Sequence, residues 1–302
     1  MKFTTDSVMT KILDELFKIY AKRVPDVKKI TNAMIERGMV SDQNEIINDH
    51  IAFRTLGVPN LGITSFEKIF LANGYKRMDF YHFDAKKLDA YWYSPPTEDL
   101  PRVFISELKV EKLSSSVQNV VKFYTDSIVY DPVDNLNLGD YKAVAKYFQT
   151  PLWDLPSLSD YELLLSESEY AAWVIYNRYY LNHYTISVHD LPNPYNKLES
   201  FNDFLNDIGI KLNTSGGVIK TSKDQLLRQS SSVANTIRAN FSNGNTKKIA
   251  GSYVEFAERS LLPEFRNLKS DKLKREHRRE GFETANADRI FESTFTSQIK
   301  NQ

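Results

Sequence analysis

The order of predicted secondary structure repeats along this chain, and this repeat limits the fold more than any other feature. A strand is predicted at residues 46–56 and a short helix at 64–73, and three strands follow at 75–83, 90–94 and 102–110. Apolar residues at helical spacing predict the helix, and β-type runs between turn residues predict the strands. The first unit is therefore strand, helix, strand, strand, strand.

A second unit of the same kind is predicted between residues 181 and 262. Its predicted elements are a strand at residues 182–188, a short helix at 201–208 and a closing strand at 253–257. Two such units favour an α+β fold in which a cupped mixed sheet surrounds a metal site, as in the vicinal-oxygen-chelate architecture. An unrelated α+β fold is the alternative that the order of elements leaves open.

Helices are predicted on either side of the first unit, in the first forty residues and in the middle of the chain. The 302 residues suffice for a substantial core, and we expect one compact domain. Its predicted segments are the N-terminal helices 1–42, the first unit 43–113, a helical insertion 114–180, the second unit 181–262 and a tail 263–302.

Charge and targeting patterns exclude several classes of partner. Lysine and arginine number 39 together, as do aspartate and glutamate, so the net charge is zero and nothing attracts nucleic acid or an anionic membrane overall. The one basic run, residues 269–279, contains acidic residues and is typical of a solvated helix. No apolar h-region or membrane-spanning stretch is found, so we predict a cytoplasmic protein. The sequence leaves the oligomeric state open.

Histidine provides the best candidates for a metal site. The chain has no cysteine, so a metal must bind histidine, aspartate or glutamate. A lone histidine is more often structural than a ligand, but His50 and His183 lie on the matching first strands of the two units. Two histidines and one carboxylate would leave one face of the metal open. The carboxylate should come from a closing strand, either Glu255 or Glu107, although each could instead pair with an arginine.

Arg54 shares a strand face with the first of these histidines. Side chains alternate along a strand, so His50, Ala52 and Arg54 point the same way, with about 13 Å between the Cα atoms of His50 and Arg54. This spacing suits a short carbon chain that runs from a metal-bound head to a carboxylate held by the guanidinium. The alternative is an Arg54 that pairs with a neighbouring acidic side chain.

Two further residues are candidates for substrate contacts. Arg259 follows Glu255 by four residues and could pair with the substrate, with Glu255 or with solvent. Ser230 belongs to a polar run, residues 229–232, that could offer hydroxyls to a ligand or could simply form a turn. Phosphate-binding glycine loops and common hydrolase motifs are absent from the sequence.

Several motifs resemble those of the 2-oxoadipate dioxygenase/decarboxylase family, whose members are also called hydroxyglutarate synthases. They are DHIAFRT at residues 49–55, NHYT at 182–185, GSYVEFAER at 251–259, and the tail from Gly281-Phe282 to ADRIFEST at 287–294. The resemblance covers residues 45–295 approximately. Three motifs in the right order are more specific than any one of them.

This resemblance implies a fold, a cofactor and a reaction. It implies a vicinal-oxygen-chelate-like fold and one Fe(II) ion bound by His50, His183 and Glu255, which favours Glu255 over Glu107. Arg54 would hold the far carboxylate of a 2-oxo dicarboxylic acid. The implied reaction converts 2-oxoadipate and O2 to 2-hydroxyglutarate and CO2. The alternatives are an oxygen-independent metal-dependent isomerase, lyase or hydrolase, and a non-catalytic dicarboxylate-binding protein.

Overall fold

The helices lie in the N-terminal region, the middle of the chain and the tail. The computed structural model describes residues 6–300, so residues 1–5 and 301–302 of the predicted segments lie outside the described residues. The described helices are α1 (Val8–Arg23), α2 (Pro25–Glu36), α3 (Ile63–Phe66), α4 (Lys68–Leu71), α5 (Ser115–Thr125), α6 (Tyr141–Tyr147), α7 (Leu158–Glu167), α8 (Glu169–Asn177), α9 (Leu198–Asp207), α10 (Thr284–Phe291) and α11 (Thr296–Ile299). The two N-terminal helices and the helical insertion are confirmed.

Local sequence explains why the two N-terminal helices begin where they do. The Ser7 side chain accepts a hydrogen bond from the backbone N–H of Thr10 and so satisfies one free donor of α1. Pro25 occupies the first position of α2, where its missing N–H costs no hydrogen bond. Neither of these two helices is long and apolar enough to span a membrane, nor is any other helix of residues 6–300.

Ten strands are found among the described residues, and eight of them form one sheet. They are β1 (Asn48–Leu56), β2 (Lys76–Phe83), β3 (Leu88–Ser94), β4 (Arg102–Leu108), β5 (His183–Ser187), β6 (Lys220–Thr221), β7 (Leu227–Ser231), β8 (Thr236–Asn240), β9 (Thr246–Ala250) and β10 (Tyr253–Arg259). The large sheet has the order β2-β3-β4-β1-β5-β10-β7-β6, and β8 and β9 form a separate hairpin.

Strand pairing shows the same topology in both units. The first strand of each unit is parallel to its last, as β1 is to β4 and β5 is to β10. The last strand is antiparallel to the strand before it, as β4 is to β3 and β10 is to β7. The antiparallel β1–β5 pair joins the units. The predicted cupped sheet of two strand-helix-three-strand units is confirmed, and the β8–β9 hairpin is an insertion that was not predicted.

The tail differs from its prediction. The basic run forms two short 3-10 turns, Ser270–Lys272 and Arg275–His277, and so the predicted solvated helix is wrong. The arginines of this run bind backbone carbonyls of the sheet region. Nη1 of Arg275 donates to the Leu100 carbonyl at 2.6 Å, and Nη1 of Arg278 donates to the Arg259 carbonyl at 2.7 Å. These tertiary contacts hold the tail on the sheet.

Both faces of the central strands are buried, and this burial creates the site. The outer face of β1 packs Phe53 against Phe66 and Phe148, with ring centroids 4.9 and 5.4 Å apart. The inner face carries His50 and Arg54 and is covered by α8 and the tail. One buried apolar cluster includes residues of all five predicted segments, which supports the proposal of a single domain.

Candidate metal centre and its surroundings

Three potential ligands converge on the inner face of the sheet. The Nε2 atom of His50 lies 3.4 Å from Oε1 of Glu255, and Nε2 of His183 lies 3.0 Å from Oε2 of Glu255. One ligand atom from each residue lies within 4.8 Å of the others, and all three side chains are buried. The strand order explains the meeting, because β5 lies between β1 and β10 and brings the predicted histidine pair beside Glu255.

This arrangement fits a divalent metal ion. Metal–nitrogen and metal–oxygen bonds of about 2.1 Å place neighbouring ligand atoms roughly 3 Å apart when they meet at right angles. The second nitrogen of each ring already has a partner: Nδ1 of His50 donates to Asp49 at 2.8 Å, and Nδ1 of His183 donates to Asn182 at 3.1 Å. These bonds direct both Nε2 atoms towards the centre, as is usual for metal-bound histidines.

The electrostatics of the three side chains favour an ionised carboxylate. Burial alone would raise the pKa of Glu255, but the charges of His50 and His183 and their hydrogen bonds bring this pKa well below its usual range. Burial lowers the pKa of His183 more than Glu255 raises it. At His50 burial again lowers the pKa, but Glu255 and Asp49 outweigh it and the net pKa is raised. No arginine pairs with Glu255 in residues 6–300.

Arg259 acts on the candidate metal centre indirectly, through Asp49. Its Nε and Nη2 donate to the two carboxylate oxygens of Asp49 at 2.7 and 3.0 Å, and its Nη1 donates to the Arg279 and Gly281 carbonyls. All three of its nitrogens therefore have acceptors within the protein. These contacts do not support the predicted substrate role of Arg259. They instead fix the carboxylate that orients His50.

Ser230 lies on the wrong side of the sheet for a substrate contact. The β7–β10 register pairs Ser231 with Glu255 and Ser230 with Phe256, so Ser230 faces outwards. Its hydroxyl donates to Oδ1 of Asn202 on α9 at 2.8 Å. The structure therefore gives no support to the predicted substrate role, and the reason is the two-residue alternation of a strand.

Gln229 is a site residue that the sequence analysis missed. It lies one residue before Ser230 and faces inwards, where its Nε2 donates to Oε1 of Glu255 at 2.6 Å. Its own Oε1 accepts from Asn286 of α10 at 3.0 Å. The alternation along the polar run 229–232 is the signal that could have found it once β10 was known to be its partner strand.

Glu107 belongs to the outer face. The β1–β4 register pairs it with Thr55, which points away from His50, and its Oε2 accepts from the backbone N–H of Ile63 at 2.7 Å. Phe104 occupies the position in the first unit that corresponds to Glu255 in the second. Phe104 pairs with the residue two positions after His50, and Glu255 pairs with the residue two positions after His183. The choice of Glu255 over Glu107 is therefore supported by the register.

Arg54 is a buried cation without an acidic partner in the described residues. Its Nη1 donates to the Thr294 hydroxyl at 3.0 Å and its Nη2 to the Phe291 carbonyl at 3.1 Å, while its Nε has no hydrogen-bond partner. The rings of Tyr170 and Trp173 each lie 5.1 Å from the guanidinium carbon. Burial lowers the Arg54 pKa. An uncompensated buried charge is costly, so this arrangement favours a site for an incoming anion.

The tail covers the inner face and leaves a small cavity beside the three potential ligands. The two histidines and Glu255 lie on one side of this cavity, and aromatic and aliphatic residues of the tail lie on the other. The ring of Phe282 packs 4.8 Å from that of His50. The residues that the tail contributes are Phe282, Ala287, Ile290 and Phe291. The sequence analysis did not assign the tail to the site, although one of the family-like motifs lies there.

Fold and site together define a class of protein. Two repeated units around a buried two-histidine, one-carboxylate group form a potential metal site of the vicinal-oxygen-chelate type. Residues 12–273 match the sequence model of the family described as 2-oxoadipate dioxygenase/decarboxylase. The chain belongs to this family, as the resemblance of its motifs indicated.

Named relatives agree with this membership. The chain is 42% identical over 312 residues to 2-oxoadipate dioxygenase/decarboxylase, chloroplastic, of Arabidopsis thaliana, with 100% of this chain and 81% of the relative covered. It is 41% identical to a rice relative of the same name, chloroplastic/amyloplastic, with 97% of this chain and 80% of the relative covered. A crystal structure of hydroxyglutarate synthase from Oryza sativa in complex with 2-oxoadipate matches with a TM-score of 0.86 and 40% identity, covering 96% of this chain and 92% of that one.

The names of the plant relatives correct the predicted location. They are chloroplastic and chloroplastic/amyloplastic and point to the plastid, so the prediction of a cytoplasmic protein is wrong. That prediction depended on the missing apolar h-region. An h-region marks secretory signals, whereas segments that direct proteins to chloroplasts are amphipathic and serine-rich, so its absence carried no information about plastids.

Proposed function

We propose that this protein is an Fe(II)-dependent dioxygenase/decarboxylase that converts 2-oxoadipate and O2 to 2-hydroxyglutarate and CO2. The observation that carries the proposal is the buried His50–His183–Glu255 cluster. It lies on the same face of the sheet as Arg54, a cation that has no acidic partner among the described residues. The relatives' names and the 2-oxoadipate complex of the rice structure supply the substrate.

The metal in this proposal is iron. Two histidines and one carboxylate with open positions form the ligand set that non-haem Fe(II) oxygenases use. Bound there, iron would supply open positions and the redox chemistry for O2 activation, while decarboxylation of the 2-oxo acid would supply the net electrons. Zinc fits the same ligands but has no redox chemistry, which makes it a useful inactive substitute.

The residues of the chain hold the substrate in one orientation. Arg54 would bind the far carboxylate through its free Nε, and the 13 Å or so between the Cα atoms of His50 and Arg54 would leave room for a six-carbon chain once both side chains lean inwards. Ala52 lies between them and keeps this path open. Such fixed ends bring one carbon of the substrate to the reacting centre.

Water exclusion is the second contribution of the chain. The aromatic rings of Phe104, Phe282 and Phe291 line the cavity opposite the three ligands. A dry cavity strengthens the attraction between Arg54 and a carboxylate and protects reactive species from side reactions. Asp49, held by Arg259, keeps the His50 ring in position from the other side.

An oxygen-electrode assay with metal analysis tests the proposal. Protein loaded with Fe(II) under reducing conditions should bind one iron per chain and consume O2 with equimolar CO2 release when 2-oxoadipate is added. The zinc-loaded protein should consume none, and His183→Ala should not retain iron. Turnover of 2-oxoadipate without O2 would instead favour an isomerase, lyase or hydrolase, and a purified protein without metal would favour a binding protein.

Arg54→Met tests the far-carboxylate site separately. The variant keeps an apolar stem of similar length and removes the guanidinium with its charge, so we expect kcat/KM for 2-oxoadipate to fall about 100-fold, because charge-assisted bonds are lost, with iron content unchanged. Arg238→Met, at an exposed position of β8, is the matched control. Equal kinetics in Arg54→Met and the control would remove Arg54 from the substrate site.

A further inference from the structure

Tyr253 places an unsatisfied hydroxyl in the wall of the metal-site cavity. Its side chain is fully buried and lines the cavity with His183 and Glu255. The hydroxyl oxygen has no hydrogen-bond partner in the part of the chain that the structure describes. Buried polar groups in folded proteins nearly always have a partner, so a buried orphan inside a cavity points to a missing ligand atom or water.

The packing of Tyr253 does not need this hydroxyl. Its ring contacts Ala234 and Ile290 in a small apolar cluster, and it lies 4.7 Å from the His183 ring at an angle of 34°. Phenylalanine would make the same apolar contacts without burying an unsatisfied polar atom. The hydroxyl therefore has a use other than packing.

The strand register places Tyr253 in one row with Ala52 and His183. His183 lies opposite Tyr253 on one side and opposite Ala52 on the other. On one side of this row, the next inward-facing residues are His50 and Glu255. On the other side, the next inward-facing residue of β1 is Arg54. A substrate that reaches from the metal to Arg54 must therefore cross the row that contains Tyr253.

Two neighbouring donors, one in the wall of the cavity and one beside it, are unsatisfied. They are the Tyr253 hydroxyl and Nε of Arg54, and no acceptor joins them among residues 6–300. The two side chains lie close enough for the Tyr253 oxygen to accept from the Arg54 guanidinium, which contributes to the pKa of both groups and leaves the Tyr253 O–H free to donate to a ligand. An ionised carboxylate has about four acceptor positions and can take both hydrogen bonds at once.

We infer that the Tyr253 hydroxyl donates a hydrogen bond to the far carboxylate of the substrate and, with Arg54, makes the site selective for 2-oxo dicarboxylic acids. This inference rests on the proposed function. Arg54 supplies the charge and Tyr253 a directional bond. A 2-oxo monocarboxylic acid of the same length would leave both donors unsatisfied, and sites built to bind a polar group discriminate strongly against analogues that lack it.

Kinetics of Tyr253→Phe in the iron-loaded full-length enzyme test the inference. We expect kcat/KM for 2-oxoadipate to fall roughly 10- to 100-fold, because a hydrogen bond to a charged group is lost, with most of the change in KM. With 2-oxohexanoate, which lacks the far carboxylate, wild type and variant should agree within about twofold, because the lost bond is not made. Iron content should not change.

Tyr147→Phe is the matched control. Tyr147 is also buried with an unsatisfied hydroxyl, but it lies outside the metal-site cavity. This variant should behave as wild type with both substrates. An equal loss with 2-oxoadipate and 2-oxohexanoate in Tyr253→Phe would overturn the inference, since it would place the hydroxyl at the metal-bound head. Unchanged kinetics with 2-oxoadipate would overturn it as well.

Calorimetry with zinc-loaded protein separates this inference from the proposed reaction. Zinc supports no O2 chemistry, so only binding is measured. We expect 2-oxoadipate to bind Tyr253→Phe roughly 10- to 100-fold more weakly than wild type, whether or not the iron-loaded enzyme turns it over. Equal affinity, or no binding to the wild-type protein, would overturn the assignment of Tyr253.

Discussion

Asp49→Asn is the most informative perturbation of the metal centre. The substitution keeps the shape of the side chain and removes its charge. The Asp49 carboxylate is almost fully buried, accepts from Nδ1 of His50, and faces two guanidinium groups, of Arg259 and Arg102. An amide has one acceptor oxygen and cannot serve all three donors.

The structure sets the size of the expected effect. Removing one partner of a buried ion pair costs about 3–5 kcal/mol, because a buried charge is left uncompensated. Arg102 keeps Glu280 as a partner, and Arg259 keeps the carbonyls of Arg279 and Gly281. We therefore expect the free energy of unfolding to fall by about 3 kcal/mol, at the lower end of this range. Losing the bond that orients His50 should also lower metal affinity about 10- to 100-fold.

The effect should depend on pH in a defined direction. Burial alone would raise the pKa of Asp49, but Arg259 and Arg102 hold it well below its usual range. Its stabilising contribution is therefore complete above the unfolded pKa of about 3.9 and is lost only as the pH falls towards the lower folded value. The difference between wild type and Asp49→Asn should be constant near neutral pH and shrink in acid.

Urea unfolding of the metal-free proteins and a metal titration measure the two effects. Asp207→Asn is the matched control, because its ion pair with Arg37 is exposed and should contribute less than about 1 kcal/mol. A loss below about 1 kcal/mol in Asp49→Asn would refute the claim that Asp49 compensates the buried arginines. Wild-type metal affinity would refute its role in orienting His50.

Three further predictions concern residues around the centre. Gln229→Ala removes a hydrogen bond to Glu255, and we expect competition with a chelator to show about 10- to 100-fold weaker metal binding; unchanged affinity would contradict this. Glu107→Gln should leave metal affinity unchanged, whereas metal loss would contradict its place on the outer face. Burial lowers the pKa of Lys220 to about 8. Between pH 8 and about 10.4 the unfolded wild type therefore binds more protons than the folded protein. Over this range its free energy of unfolding in urea should rise by up to about 3 kcal/mol relative to that of Lys220→Met, and a difference that does not change with pH would contradict this.

Several features of the site could be predicted because they depend on local geometry. The two-residue alternation of a strand placed His50 and Arg54 on one face, and the repeated order of elements made His50 and His183 equivalent. The alternation of side chains within one strand can be inferred without knowing which strand it pairs with. For this reason the histidine pair, the cupped sheet and the inward direction of Arg54 all agree with the structure.

Other features depend on which strands pair and in which register. The registers on β4 and β7 turned Glu107 and Ser230 outwards and brought Gln229 to Glu255. The cytoplasmic prediction failed for a different reason, since it depended on a signal that does not report on plastids.

The sequence by itself determined the repeat, the two histidines and the face that they share with Arg54. Only the tertiary structure decided that Arg259 supports Asp49, that the tail covers the cavity, and that the Tyr253 hydroxyl and Nε of Arg54 lack acceptors in the described residues. The physical reason is that a hydrogen-bond partner is a property of two distant segments at once. A pattern within one segment shows which way a side chain points, and folding decides what it meets.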